Sequence, residues 1–152
     1  MELSKQQLGE EHPDVAERLN NLAGLLYQQG RYAEAEPFYQ QALAIYKQVL
    51  GDEHPDVADS LNNLAGLYEA QGRYADGEPL YQKALAIYTQ TLGNEHPDVA
   101  DSLNNLAELY RAQKRYDEAE PLYQQALTMR KRLLGSEHPD IASSLNNLAG
   151  LY

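Results

Sequence analysis

A segment beginning His-Pro-Asp recurs at His12, His54, His96 and His138, each copy 42 residues after the last. A whole pattern travels with it: Leu-Asn-Asn-Leu-Ala, then Arg-Tyr or its equivalent, then Glu-Pro-x-Tyr-Gln, then Leu-Gly. A fixed period of this length means one supersecondary unit stacked on copies of itself, a solenoid rather than a closed globule. The units run 12–53, 54–95 and 96–137. Residues 1–11 match the end of a preceding unit, because Leu8-Gly9-Glu10-Glu11 stands where Leu50-Gly51-Asp52-Glu53 stands one period on. Residues 138–152 read as the first helix of a fourth unit.

Within the second unit, Pro55 and Asp56 open a helix. Proline fits the first turn, where its missing N–H has no partner in any case, and Asp56 and Asp59 complement the positive end of the dipole. Val57, Leu61, Leu64, Ala65 and Tyr68 then fall on one stripe of period 3.6. Gly72 caps the end. A second helix is expected over 74–92, with Tyr81, Ala84, Leu85 and Tyr88 inward, and Gly93 stops it. Tyr32, Tyr74 and Tyr116 recur at one position and Tyr39, Tyr81 and Tyr123 at another, and all six are expected in the core. Pro37, Pro79 and Pro121 break a local rule, since proline inside a helix costs ~3 kcal/mol. Two readings are open: a repeated kink that sets curvature, or a late helix start.

Leu61-x2-Leu64-Ala65-x2-Tyr68, Gly72, Tyr74 and Tyr81-x2-Ala84 resemble the tetratricopeptide repeat (TPR) helix pair. The same frame fits Leu103 to Ala126, and Leu19 to Ala42 with Leu26 in place of the tyrosine. The 42-residue length, the His-Pro-Asp-Val-Ala opening and the Leu-Asn-Asn-Leu-Ala core are similar to the longer repeats of kinesin light chains and their bacterial relatives. The resemblance implies an all-α chain, a right-handed α-solenoid of TPR helix-turn-helix repeats acting as a scaffold for other proteins. Departures are Gly77, standing where Ala35 and Ala119 are small, and Lys114, standing where the turn has glycine.

The first helices carry a polar stripe at spacings of three and four. It reads Glu17, Asn20, Asn21, Gly24 and Gln28, then Asp59, Asn62, Asn63, Gly66 and Ala70, then Asp101, Asn104, Asn105, Glu108 and Ala112, with Arg111 the one basic residue on this face. In TPR proteins this face lines the concave groove, and the resemblance places the stripe there as a peptide-binding groove. Asparagine is a poor helix-interior residue, and a ladder of amides suits an extended peptide backbone. The competing reading makes one asparagine of each pair a bridge between repeats, with Asn21, Asn63, Asn105 and Asn147 the ones left to the groove. Gly24, Gly66 and Gly150 cost roughly 1 kcal/mol each inside a helix. They either let a ligand chain approach or relieve crowding between helices. Arg111 is read as pairing with Glu69 or Glu108, or as touching a ligand.

Net charge is −11, from 23 acidic and 12 basic side chains. That balance argues against nucleic acid, which demands a basic stripe, and against anionic membrane surfaces. It favours a basic or neutral protein or peptide partner over an acidic one. No apolar run approaches a membrane span, and Met1-Glu2-Leu3-Ser4-Lys5 lacks the apolar core of a signal peptide, so the chain is expected to be cytoplasmic. The histidines come one per repeat, too far apart to share an ion, and are expected to serve as loop and cap structure. No nucleophile recurs with a base and no phosphate loop appears, so neither catalytic residues, metal nor cofactor are expected. A second functional reading is head-to-tail self-association through the repeat ends, where Leu3, Leu8, Leu145, Leu148, Ala149, Leu151 and Tyr152 lack half their cover.

Overall fold

The computed structural model describes residues 12–134 and 139–151. The stretch 1–11, His138 and Tyr152 lie outside them. The described residues form seven helices and no strand: α1 (Pro13–Gln28), α2 (Tyr32–Leu50), α3 (Pro55–Ala70), α4 (Tyr74–Leu92), α5 (Pro97–Ala112), α6 (Tyr116–Leu134) and α7 (Pro139–Ala149). They gather into two compact units, residues 1–80 and 81–152, with α4 running through the division. In the first, α1 packs on α2 and α2 on α3, and in the second α5 packs on α6 and α6 on α7.

The repeated histidine is a helix cap. His12, His54 and His96 hold extended backbone, and each Nδ1 accepts the amide N–H two residues on, from Asp14 at 3.1 Å, Asp56 at 3.0 Å and Asp98 at 3.0 Å. The ring does what an asparagine or serine does at this position, satisfying one of the orphan donors of the first turn. Each first helix then ends in the same way. Gly30 and Gly72 take φ of +76° and +73°, and their N–H groups bond back to Tyr27 and Glu69 carbonyls at 2.9 Å. Lys114 occupies the third such turn with φ +62° and an identical 2.9 Å bond to the Arg111 carbonyl.

The second helices begin at Tyr32, Tyr74 and Tyr116 and run on through Pro37, Pro79 and Pro121. A late helix start is therefore overturned. Each proline stands at the sixth helical position, where only the bond to the carbonyl four residues back is lost. All three prolines face outward, so that carbonyl can bond water instead.

Buried side chains follow the 3.6 period. Ala23, Leu26, Ala35, Tyr39, Leu64, Leu67 and Tyr68 form one core across α1, α2 and α3, with Phe38 and Leu43 packed against it. In the other unit Leu103, Leu106 and Tyr110 of α5 meet the face of α6 that carries Ala119, Tyr123, Ala126 and Met129. Full burial of one such large apolar side chain contributes about 1.5–3 kcal/mol. Tyr39, Tyr81 and Tyr123 are core residues as expected, whereas Tyr32 and Tyr74 are half-buried and Tyr116 is exposed. The physical reason lies across the turn. Tyr32 meets Tyr27 in a tilted ring contact, with centroids 5.2 Å apart and planes at 58°, and the residues at that place in the other repeats are Glu69 and Arg111.

Successive repeats are also joined by a polar clasp. Arg73, in the turn after α3, bonds Glu36 of α2 at 2.9 Å and lies 4.3 Å over the Tyr68 ring. The Tyr68 hydroxyl donates to Glu36 at 3.1 Å and accepts from Gln40 at 3.3 Å. The third repeat repeats the stack, Arg115 over Tyr110 at 4.3 Å, with Gln82 donating to the Tyr110 hydroxyl at 3.2 Å.

Candidate functional site

The stripe on α1 is held by the cap at His12 and by the burial of Val15, Ala16, Leu19 and Ala23 on the opposite side. Glu17 and Asn21 are consequently exposed, while Asn20 and Gly24 are half-buried. On α3 the same order holds, with Asp59 and Asn63 exposed and Asn62 and Gly66 half-buried.

The asparagines of each pair do different things. Asn20 Nδ2 reaches Ser60 Oγ on α3 at 3.5 Å, the long end of the hydrogen-bonding range. The Oδ1 atoms of Asn20, Asn62 and Asn104 are sealed from solvent. These three amides face the packing between helices with their acceptor side. Asn21 and Asn63 stand free of it, and Asn105 and Asn147 are half-buried.

Five of the stripe residues converge in the first unit. Asn20, Asn21, Gly24 and Gln28 of α1 and Asn63 of α3 line a depression of about 480 Å³, joined by Leu25 of α1 and Tyr39 of α2. Among the described residues no charged side chain lines it. Its volume lies within the roughly 300–1,000 Å³ of small-ligand sites. Burial, and secondarily the neighbouring Tyr27, push the Tyr39 phenol up from its ordinary pKa. Among the described residues the only heavy atom outside the local helix near a Cβ built on Gly24 is that hydroxyl, 3.9 Å away. This is ordinary van der Waals contact, so crowding does not account for the glycine at 24.

Leu25 and Tyr39 are the lining residues that the sequence pattern did not single out. Leu25 is 57% exposed, while its equivalents Leu67 and Leu109 are fully buried. Leu67 lies in the core beneath α2, and among the described residues no helix precedes α1 to cover Leu25 in the same way. Tyr39 reads as core because its ring is core. Only its distance to Gly24, fifteen residues earlier and on another helix, shows that its oxygen looks elsewhere.

The remaining candidates lie in the second unit. Asp101 is exposed but occupied: Arg130 of α6 bonds it at 2.8 Å and donates to Ser144 Oγ of α7 at 2.6 Å. Arg130 is 8% exposed and stands where the other repeats have Tyr46 and Tyr88. Asn104, Asn105 and Glu108 are half-buried. Arg111 is exposed, and its Nη1 lies 3.7 Å from where a Cβ on Gly150, just past the end of α7, would sit. A cation at a helix C-terminus complements the dipole. Among the described residues no three His, Asp or Glu side chains gather to hold a metal ion, and no helix is long and apolar enough to cross a membrane.

The sequence matches the tetratricopeptide repeat family over residues 1–48, 18–76, 56–132 and 98–152. No curated protein matches it. Among solved structures it is similar to BtubC (BKLC) from P. vanneervenii, at 30% identity and a TM-score of 0.85, covering 93% of this chain and 57% of that one. It is also similar to the nearly identical TPR-like repeats of a protein from Podosopora anserina described as a kinesin light chain, at 33% identity and a TM-score of 0.84, covering 93% of this chain and 67% of that one. A single-substitution form of the latter gives the same TM-score, with 66% of its chain covered. Periodic sequence, helix pairs and neighbours agree: the chain is an all-α TPR solenoid of the kinesin light chain-like type and belongs to the tetratricopeptide repeat family.

Proposed function

We propose that this protein is a non-enzymatic, cytoplasmic scaffold that holds an extended peptide segment of a partner along the first-helix stripe of its repeats. TPR repeats are in general protein–protein interaction modules. The observation that carries the finer reading is the convergence of Asn20, Asn21, Gly24 and Asn63 in one depression with uncharged polar walls. The units 12–53, 54–95 and 96–137 each present one rung of that stripe. Asn21 and Asn63, exposed and free of inter-helix packing, offer donor and acceptor to a peptide main chain. Asn105 is the matching rung of the third repeat. With a net charge of −11 the surrounding field favours basic or neutral partners. Glu17 and Asp59 at the margin of the stripe add to that preference.

The test is a peptide array displaying basic, neutral and acidic capped sequences, probed with the whole chain and with an Asn21→Ala/Asn63→Ala double variant. Binding to neutral or basic peptides, lost in the variant while its melting temperature is kept, supports the reading. Preference for acidic peptides, or retention of binding in the variant, overturns it.

A second reading has its own observation. Leu25 and Leu145 are large, exposed apolar residues on α1 and α7 whose equivalents in the other repeats are buried. Paired faces of this kind support weak head-to-tail self-association. A sedimentation dilution series that shows one unchanging monomer sinks it.

A further inference from the structure

The third repeat supplies a natural control for the first. Tyr39 and Tyr123 occupy the same place on α2 and α6, and both rings are buried, at 6% and 0% exposure. Above Tyr39 stands Gly24, whereas the corresponding residue of the third repeat is Glu108. Tyr123 Oη is sealed from solvent. Tyr39 is instead part of the wall of the depression on α1, and among the described residues its hydroxyl makes no hydrogen bond. A nine-tenths-buried side chain thus turns its one polar atom toward the depression, 3.9 Å from where a Cβ on Gly24 would sit.

On the wall of an open depression the Tyr39 hydroxyl is reachable, and a ligand carbonyl can take the place of water on it. The group that would meet it is defined by the wall. Asn21, Gln28 and Asn63 supply amides, Leu25 supplies an exposed aliphatic surface, and among the described residues no charge lines the wall. We infer that the Tyr39 hydroxyl, unmasked by Gly24, is a ligand-binding donor. It takes a main-chain carbonyl of an uncharged peptide segment whose neighbouring aliphatic side chain rests on Leu25. This deepens the peptide-groove reading and rests on it. Specificity then resides in the first repeat: Gly24 lets a peptide backbone lie against the helix, and Glu108 denies the equivalent site in the third.

The probe is a set of capped peptides built only from Ser, Asn, Gln and Leu, measured against the whole chain by fluorescence anisotropy beside basic and acidic sets. Tyr39→Phe keeps the buried ring and removes the donor, and should weaken binding of the uncharged set about five- to tenfold, the worth of one hydrogen bond. Gly24→Ala should weaken it at least as much while raising the melting temperature. Tyr123→Phe, whose hydroxyl is sealed, should leave affinity unchanged. Loss of binding in the Asn21→Ala/Asn63→Ala variant with full binding in Tyr39→Phe overturns the role of Tyr39 and leaves the groove standing. Equal weakening by Tyr39→Phe and Tyr123→Phe also overturns it, because a general loosening would then be the cause. Binding confined to charged peptides removes the uncharged site, and no binding to any set removes the groove reading and this one together.

Discussion

Lys114→Gly should make the protein more stable. Three turns in this chain have the same geometry and differ in one residue. Gly30, Gly72 and Lys114 each have positive φ, each donates a 2.9 Å hydrogen bond to a carbonyl three residues back, and each is followed by an arginine. The next amides, of Arg31, Arg73 and Arg115, return to the Leu26, Tyr68 and Tyr110 carbonyls at 2.9, 2.7 and 2.8 Å. The hydrogen bonds are therefore equal, and the difference is the Cβ of Lys114. A non-glycine residue in the left-handed region costs about 1–2 kcal/mol. Glycine gives back ~0.5–1 kcal/mol through the greater freedom of the unfolded chain. Lys114 is exposed, so little packing is lost with its side chain. The net gain is about 0.5–1 kcal/mol, which for a chain of this size raises Tm by roughly 1–4 °C. Thermal unfolding followed by circular dichroism measures it, and hydrogen exchange of the Arg115 amide should slow in parallel. The reciprocal Gly72→Lys should lose a similar amount. A lower Tm in Lys114→Gly, or a neutral Gly72→Lys, would refute the claim that backbone strain governs these turns.

The cap reading predicts that His54→Ala lowers stability by about 1 kcal/mol while His54→Asp does not, because only the latter can still accept the Asp56 amide; equal losses in both would remove the cap role. Arg130→Ala should cost at least ~2 kcal/mol, since it strips partners from Asp101 and Ser144 and opens a buried site, and proteolysis should then attack α7 first. Glu34 and Glu118 should titrate below the other glutamates by carbon NMR, because hydrogen bonds from Arg31 and Arg115 hold their carboxyls down. Their contribution to stability is present above the unfolded-state pKa and is lost as pH falls through the lower folded value; ordinary titration of both would show the pairs to be transient.

Features set by neighbours in sequence were legible before any coordinates. The His-Pro-Asp opening, the apolar stripe from Val57 to Tyr68 and the glycine at 72 fix where α3 starts, which side it buries and where it stops, because capping, amphipathicity and left-handed turns are local physics. Pro37 left two readings open because propensity alone cannot say whether one missing hydrogen bond is tolerated near a helix start. The clasp of Arg73, Glu36 and Tyr68 was not legible, since it joins residues more than thirty positions apart. Arg130 could be seen to replace a tyrosine, but not to grip Asp101, which turned a candidate ligand contact into the partner of a buried guanidinium.

The stripe was legible as a pattern and only partly as a site, and the reason is geometric. Adjacent asparagines on a helix differ in direction by about 100°, so Asn20 and Asn21 meet the groove differently, and the sequence offers nothing that says which one is drawn into the packing. Packing chooses: Ser60 on the next first helix draws Asn20 in, and Asn21 is left outside. The glycine is the converse case. Its cost of roughly 1 kcal/mol in a helix is visible from sequence, but whether that cost relieves crowding depends on what a Cβ would touch. At residue 24 it would touch, among the described residues, only the Tyr39 hydroxyl, and at ordinary distance. A helix that bears this cost with no steric need among those residues is what the proposed ligand contact at Tyr39 would explain. That is why Gly24→Ala should separate stability from binding, raising the first as it lowers the second. A substitution that raised both, or lowered both, would place the glycine back among the requirements of folding.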